Sequence, residues 1–313
     1  AGGGTDLEAF YKHDFGAVFS VTLNHHIYVT VHRRFEDNFR VSYSKTEFSN
    51  TVSEIPHELV RESMLSAGIN QPLEVTTIAD VPAGTGLGSS STLTVGLLNA
   101  FRAVGGSVSS CDKLAELACS IEIDTLGNPI GKQDQYISAY GGITCFEFQK
   151  NNKVIASPLN ISDDTLFDLE DNLLLFFTGF SRSAGSILKD QKEKSQGHNM
   201  DMLANLHYVK EMGYRSKEML EKGNLADFGA LMHEHWEHKK NRSGGMSNPQ
   251  IDEWYDLGLK NGAVGGKLVG AGGGGFLLFY AEDRNKLRHV MKHAGLDEVR
   301  FKFDYEGTKV LLS

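Results

Sequence analysis

Apolar and polar residues alternate along Leu73-Glu-Val-Thr-Thr-Ile-Ala79, and a period of two predicts a β-strand. Gly16 to Val31 and Phe39 to Ser44 alternate in the same way and read as strands. Past a loop, Leu93, Leu97, Leu98 and Phe101 recur at helical spacing and predict a helix over Ser90 to Val104. Helical patterns also cover Pro56 to Ala67 and Ser110 to Glu122. Ile143 to Gln149 reads as a strand, and Lys150 to Ser157 as a turn. Asp163 to Asp171 is acidic and weakly patterned, and Leu173-Leu-Leu-Phe-Phe-Thr178 is a candidate buried strand. The later half reads as mostly helical from Ser186 to Arg242. It continues with a glycine segment, the strand-like Phe276 to Tyr280 and a final Glu298 to Leu312. This mixture predicts an α/β (α+β) protein, with the change of domain near residue 170, giving 1–170 and 171–313.

The loop between the strand at Leu73–Ala79 and its helix carries the most chemistry. It reads Pro82-Ala-Gly-Thr-Gly-Leu-Gly-Ser-Ser-Ser91. Gly84, Gly86 and Gly88 remove the side chains that would keep a polyphosphate away. Ser89 and Ser90 open a helix whose positive end and bare N–H groups suit an anion, so a nucleotide triphosphate is expected. A Walker A loop needs Gly-Lys-Ser/Thr, whereas Gly88 is followed directly by Ser89. A dinucleotide fingerprint needs its third glycine three positions after the second, whereas Gly86 and Gly88 are two apart. Taken alone, the loop also fits a plain glycine turn with a serine cap.

Two further glycine segments change the picture: Ala1-Gly-Gly-Gly-Thr-Asp-Leu7 and Gly265-Gly-Lys-Leu-Val-Gly-Ala-Gly-Gly-Gly-Gly275. In order, the three segments resemble the motifs of the GHMP kinases. Pro82 to Ser90 matches the middle motif without a gap, and Lys267 to Gly275 matches the third. The sequence starts at the glycines of the first motif. A preceding strand with a basic residue is therefore expected to be a missing segment rather than the mark of a different fold. The resemblance implies a ribosomal-S5-like N-terminal domain and a ferredoxin-like C-terminal domain. It also implies ATP and Mg2+ as cofactors, with ATP on Pro82, Gly84, Gly86, Leu87, Gly88, Ser89 and Ser90.

Phosphoryl transfer needs a hard cation held by oxygens and a base for the acceptor hydroxyl. Glu122-Ile-Asp-Thr-Leu-Gly-Asn-Pro-Ile-Gly-Lys-Gln-Asp-Gln-Tyr136 offers two acids on either side of a Gly-Asn-Pro turn that could fold them toward one cavity. By type alone, Glu122 also fits a solvated helix end and Asp134 a helix N-cap. The resemblance assigns Mg2+ to Glu122 and Ser90, and the role of base to Asp134. It places Gly4, Thr5 and Asp6 at the sugar hydroxyls, and Gly272, Gly273 and Gly274 at the substrate. Arg182, in Thr178-Gly-Phe-Ser-Arg-Ser-Ala184, is a candidate clamp for a substrate phosphate, or a surface arginine. Lys239, Lys240 and Arg242 fit equally the end of a helix. His233, His235 and His238 lack the zinc-protease order and are read as structural, His25 and His26 as opposite faces of a strand, and Trp236 and Trp254 as core or interface anchors.

Bulk properties narrow the partners. A formal net charge of -9 over 313 residues argues against a nucleic-acid surface. Three cysteines without framework or metal spacing suit a reducing cytoplasm, and no apolar run is long enough to span a membrane. The expected partner is a small-molecule sugar phosphate, with a homodimer left open. Within the family, Ala1 to Asp6, Gly131-Lys-Gln-Asp-Gln-Tyr136 and Thr178 to Arg182 are most similar to the branch that phosphorylates the anomeric hydroxyl of a heptose 7-phosphate. The alternatives are a fucokinase-like enzyme acting on an unphosphorylated sugar and a member that binds without turnover.

Overall fold

The computed structural model describes residues 1–180, 200–240, 245–270 and 272–311. Helix α1 (Glu8–Tyr11) and strand β1 (Gly16–Val21) lead to a break before β2 (Ile27–Arg33). The long alternating segment is thus two strands, because Thr22 turns away to bond the carbonyls of Gly142 and Asp304. His25 and His26 consequently lie outside any strand; the His26 ring instead meets Asp304 at 2.9 Å. Strands β3 (Phe39–Ser42) and β4 (Thr46–Ser49) form a hairpin, and α2 (Glu58–Ser66) starts two residues later than its pattern. Strand β5 (Leu73–Ala79) and helix α3 (Ser89–Val104) follow the predicted spans closely.

Helix α4 (Cys111–Cys119) is capped by the Ser110 hydroxyl, accepting from the Lys113 N–H, and winds into a π-helical turn at Ser120–Thr125. Helix α5 (Gln133–Tyr140) follows, then strands β6 (Ile143–Phe148) and β7 (Val154–Pro158). The predicted turn at Lys150–Ser157 is shorter than expected. Asn152 takes its left-handed bend at φ 69°, and pairing with β6 resumes at Val154. Helix α6 (Asp163–Asn172), capped by Ser162 and acidic in its first turn, precedes β8 (Leu173–Phe177). Helices α7 (Met200–Lys222) and α8 (Leu225–Lys240) occupy the described part of the predicted helical stretch. Helix α9 (Pro249–Lys260), with Asn248 as cap and Pro at its start, had no counterpart in the sequence reading. Strand β9 (Ala263–Leu268) holds residues that read as a glycine loop; β10 (Phe276–Ala281), α10 (Arg284–His293) and β11 (Asp297–Glu298) complete the chain.

Compactness divides the chain into two units that interleave in sequence. The first comprises residues 1–20, 83–87 and 143–303, and the second 21–82, 88–142 and 304–313. Residue 170 therefore falls inside the first unit, at the end of α6. In the first unit, β11-β8-β10-β9 form an antiparallel sheet. Taken along the chain this is strand order 4-1-3-2, with helices after the first and third strands, the ferredoxin-like arrangement the resemblance implied. Trp236 and Tyr255 from the helices and Phe176, Leu268, Leu277 and Phe279 from the strands fill its core. Trp236 is a core anchor, and Trp254 packs partly buried beside it. A second sheet, β1-β6-β7, belongs to the same unit. In the second unit, β2-β5-β3-β4 are joined by antiparallel pairs and one parallel pair, β3 with β5. Its buried face packs Val41, Leu73 and Val75 against Met64, Leu97 and Phe101 of α2 and α3.

Gly265 shows why β9 escapes a pattern based on side chains. A Cβ there would stand 2.0 Å from the Gly229 carbonyl oxygen of α8, so the strand and helix backbones meet directly. Gly265→Ala is expected to destabilise the protein by about 1–3 kcal/mol, the usual cost of overpacking. Denaturant unfolding measures it, and an unchanged midpoint would contradict this packing.

Candidate active site

The second unit gathers the residues nearest to phosphoryl-transfer chemistry. Helix α3 begins after Gly88, whose φ of 73° is left-handed, and no side chain caps it. The first free N–H groups of the helix therefore stand beside Ser89 and the exposed Ser90, an anion site by geometry. A Cβ at Gly88 would lie 3.1 Å from Asp134 Cγ, so Asp134 packs directly against the end of the loop. Asp134 is not the N-cap of its helix: Lys132 holds that position and Asp134 sits in the first turn of α5.

Glu122 lies in the π-helical turn, where the Leu126 N–H reaches back to Ile121 O and the Asn128 N–H to Glu122 O, each at 3.0 Å. Such turns interrupt a helix where a side chain has to be re-aimed. The expected solvated helix end is contradicted: Glu122 has no exposed surface. Its Oε1 accepts from Gln135 Nε2 at 2.9 Å, so the Gly-Asn-Pro turn does fold the second acidic segment back onto the first. Its Oε2 is buried and has no hydrogen-bond partner among the described residues, and neither has Gln135 Oε1. Burial pushes the Glu122 carboxyl above its ordinary range, while Gln135, Ser91 and Ser90 pull it partly back. The two serine hydroxyls pull in the same direction, as hydrogen-bond donors to the carboxylate, although neither meets hydrogen-bond geometry at Oε2.

An orphaned carboxylate oxygen costs roughly 1–3 kcal/mol, and a hard divalent cation would satisfy it. Among the described residues no group of three or more His, Cys, Asp or Glu could hold a metal. Mg2+ takes one or two carboxylates and leaves its other positions to water and substrate phosphates. The donor set of Glu122 and Ser90 therefore fits the cation the resemblance implied.

The first unit holds the other two glycine segments. Gly86, at φ 84°, and Gly270, at φ 79°, meet backbone to backbone: a Cβ on Gly270 would lie 2.6 Å from Gly86 Cα. Lys239 fixes that contact by donating from a buried position to the Leu268 and Gly270 carbonyls. From sequence, Lys239 fits a phosphate clamp and a helix-end charge equally, and its neighbour Lys240 does pair along the helix with Glu237 at 2.6 Å. Gly272, Gly273 and Gly274 are buried, and the Gly273 N–H is taken up by Met246 O at 2.9 Å. Thr5 bonds the Gly2 and Ala17 carbonyls, and buried Asp6 accepts the Gly4 N–H at 2.9 Å, which braces the first glycine segment. Of the rest of the middle loop, Pro82 and Gly84 are exposed and Leu87 is half-buried.

Arg182 and Arg242 lie outside the described residues. The histidines of α8 behave structurally: His233 meets the Tyr255 hydroxyl at 2.9 Å, and His235 is buried near Lys267. Gln135 is the functional candidate that sequence reasoning quoted without a role; only its pairing with Glu122 reveals it.

Because the Glu122 carboxyl is raised, the folded chain holds that proton more tightly than the unfolded chain does. Its stability contribution is complete below the unfolded pKa and is lost as pH rises through the folded one. Glu122→Gln, which is neutral throughout, should therefore melt higher than the parent in metal-free buffer, with a gap that opens as pH rises above the ordinary carboxyl range. A gain of ~1 kcal/mol would appear as roughly 2–4 °C in a protein of this class. Thermal melts at rising pH check it; a gap independent of pH would contradict the buried charge.

Comparison with known proteins gives these observations a family. Residues 50–142 match the family model of the GHMP kinases N terminal domain, and residues 216–295 that of the GHMP kinases C terminal domain. The chain is 31% identical to a D-glycero-alpha-D-manno-heptose 7-phosphate kinase of Campylobacter jejuni, over 99% of this chain and 95% of that protein. It is 29% identical to an L-fucokinase/L-fucose-1-P guanylyltransferase of Bacteroides fragilis, over 81% of this chain but only 26% of that longer protein. Among solved structures, a D-glycero-D-manno-heptose 1-phosphate kinase from Bacteroides thetaiotaomicron is similar with a TM-score of 0.80 and 26% identity, covering 98% of this chain and 94% of that one. With three glycine segments in order, an uncapped helix start beside a buried carboxylate, and this likeness over its whole length, the chain belongs to the GHMP kinase family.

Proposed function

We propose that this ATP-dependent sugar kinase transfers the γ-phosphoryl group of ATP to the anomeric hydroxyl of D-glycero-D-manno-heptose 7-phosphate, giving the 1,7-bisphosphate. The observation that carries the reading is the half-satisfied, fully buried Glu122 in the same unit as the free N–H groups of Ser89–Ser91 and as Asp134. The choice of heptose is supported by the Campylobacter jejuni relative, together with the strings Ala1 to Asp6, Gly131 to Tyr136 and Thr178 to Arg182.

In this reading the α3 start and the loop from Pro82 to Gly88 bind the phosphates through backbone amides. Glu122 Oε2 and the Ser90 hydroxyl hold Mg2+, which when bound would neutralise charge on the transferring group. Asp134 accepts the proton of the C1 hydroxyl as that oxygen bonds to the γ-phosphorus, and the bond from the γ-phosphorus to the ADP oxygen breaks. Its place against Gly88 sets the carboxylate beside the loop rather than out in solvent. Asp6, with Gly4 and Thr5, is assigned to sugar hydroxyls, since a carboxylate accepts adjacent O–H groups well. Gly272 to Gly274 shape the substrate side of the third segment, and Arg182 clamps the 7-phosphate. The chain works in the cytoplasm, where ATP and a phosphorylated sugar meet. Among the described residues no helix is long and apolar enough to cross a membrane.

Release of ADP with magnesium and ATP, measured over a panel of sugars and sugar phosphates, tests this directly. Turnover should be greatest with the heptose 7-phosphate. Turnover of free L-fucose instead would move the chain to the reading suggested by its fucokinase relatives. Binding of ATP with no acceptor phosphorylated would favour a non-catalytic member. Asp134→Asn should lower kcat at least about 100-fold, the lower end for a general base, with nucleotide affinity largely kept. Turnover near the parent's would remove Asp134 from that role.

A further inference from the structure

Glu122 and Gln135 are the only buried pair among the described residues in which both partners keep an unsatisfied side-chain oxygen. Neither has exposed surface, and a single N–H···O contact of 2.9 Å joins them. They come from different elements, the π-helical turn and the first turn of α5. Gln135 also directly follows Asp134, the residue that abuts Gly88. A leucine or methionine would fill the same space without leaving Oε1 unpaired, so packing alone does not call for an amide here. A glutamate side chain turns freely about its last bond unless something grips one oxygen, and Gln135 Nε2 is the grip on Oε1.

We propose that Gln135 is a positioning residue whose amide fixes the orientation of the Glu122 carboxylate, so that Oε2 stays turned toward a divalent cation. It sets how well the metal is held, and Asp134 remains responsible for the acceptor proton. Partners of this kind, one step removed from the cation, commonly change metal affinity 10–100-fold when lost. The inference rests on the reading of Glu122 as a metal ligand.

The test uses Mn2+ as probe, followed by its free-ion paramagnetic resonance signal with ADP present, on the full chain. Gln135→Met, which keeps volume and loses the N–H, is expected to raise the Mn2+ dissociation constant roughly 10–100-fold. The same change in a Glu122→Gln background is expected to shift it less than about twofold, because the residue to be oriented has gone. In turnover, Gln135→Met should raise the Mg2+ concentration for half activity far more than it lowers kcat at saturating Mg2+, a split Asp134→Asn does not show. Unchanged Mn2+ affinity in Gln135→Met, or an equal loss in both backgrounds, overturns the inference. If the methionine variant does not fold, Gln135→Asn, whose amide sits one methylene short of Glu122, is judged by the same two criteria. A parent that binds Mn2+ with ADP yet phosphorylates no sugar removes the kinase reading alone. A Glu122→Gln variant with parental Mn2+ affinity removes the metal assignment, and the inference with it.

Discussion

An ionisable carboxylate shut away from water, with one oxygen held by an amide and the other without a hydrogen-bond partner among the described residues, is the constraint around which the second unit is organised. Burial alone drives such a group toward its neutral form, which neither binds a cation nor stabilises the fold through charge. Removing the carboxylate would relieve that tension. The π-helical turn serves the same end, because an ordinary continuation of α4 would aim residue 122 elsewhere on the helix surface. Stability is given up locally where a ligand can restore it.

A second constraint acts through what is missing. Gly86 and Gly270 touch without side chains, and a Cβ on Gly275 would stand 2.1 Å from Thr85 O. These contacts hold the middle of the glycine loop by backbone alone. Lys239 stiffens the far side of the contact from inside the first unit. The loop's shape and the aim of the buried carboxylate thus depend on two different means, steric absence in one unit and a buried polar pair in the other.

How much of this could be seen in the sequence follows from how local each signal is. The glycine loop and helix α3 were legible because their signals, bare glycines and an apolar stripe, sit within thirty residues. Strands β7 and β9 were not: Val154-Ile-Ala-Ser-Pro does not alternate, and Gly265-Gly266 carry no side chain to alternate. The ferredoxin-like sheet came from family likeness, since period-two patterns do not encode strand order. Glu122 and Asp134 were singled out by type and spacing, but the burial of Glu122 and the part of Gln135 depend on two helices meeting after the Gly-Asn-Pro turn. Residue types announce chemistry; partners across a turn do not.

The interleaving of the two units has a consequence for how the chain acquires its shape. Its first unit opens with residues 1–20 and is not complete until residue 303 has been made, and the second needs residues 304–313. During synthesis on the ribosome, neither body can close until these distant segments have emerged, and long-range pairings must form late and together. Such topology has high contact order and folds slowly, with sheet edges exposed in the interval. No single cut yields two self-sufficient halves, so truncation at the middle of the sequence should give aggregation-prone fragments rather than isolated domains.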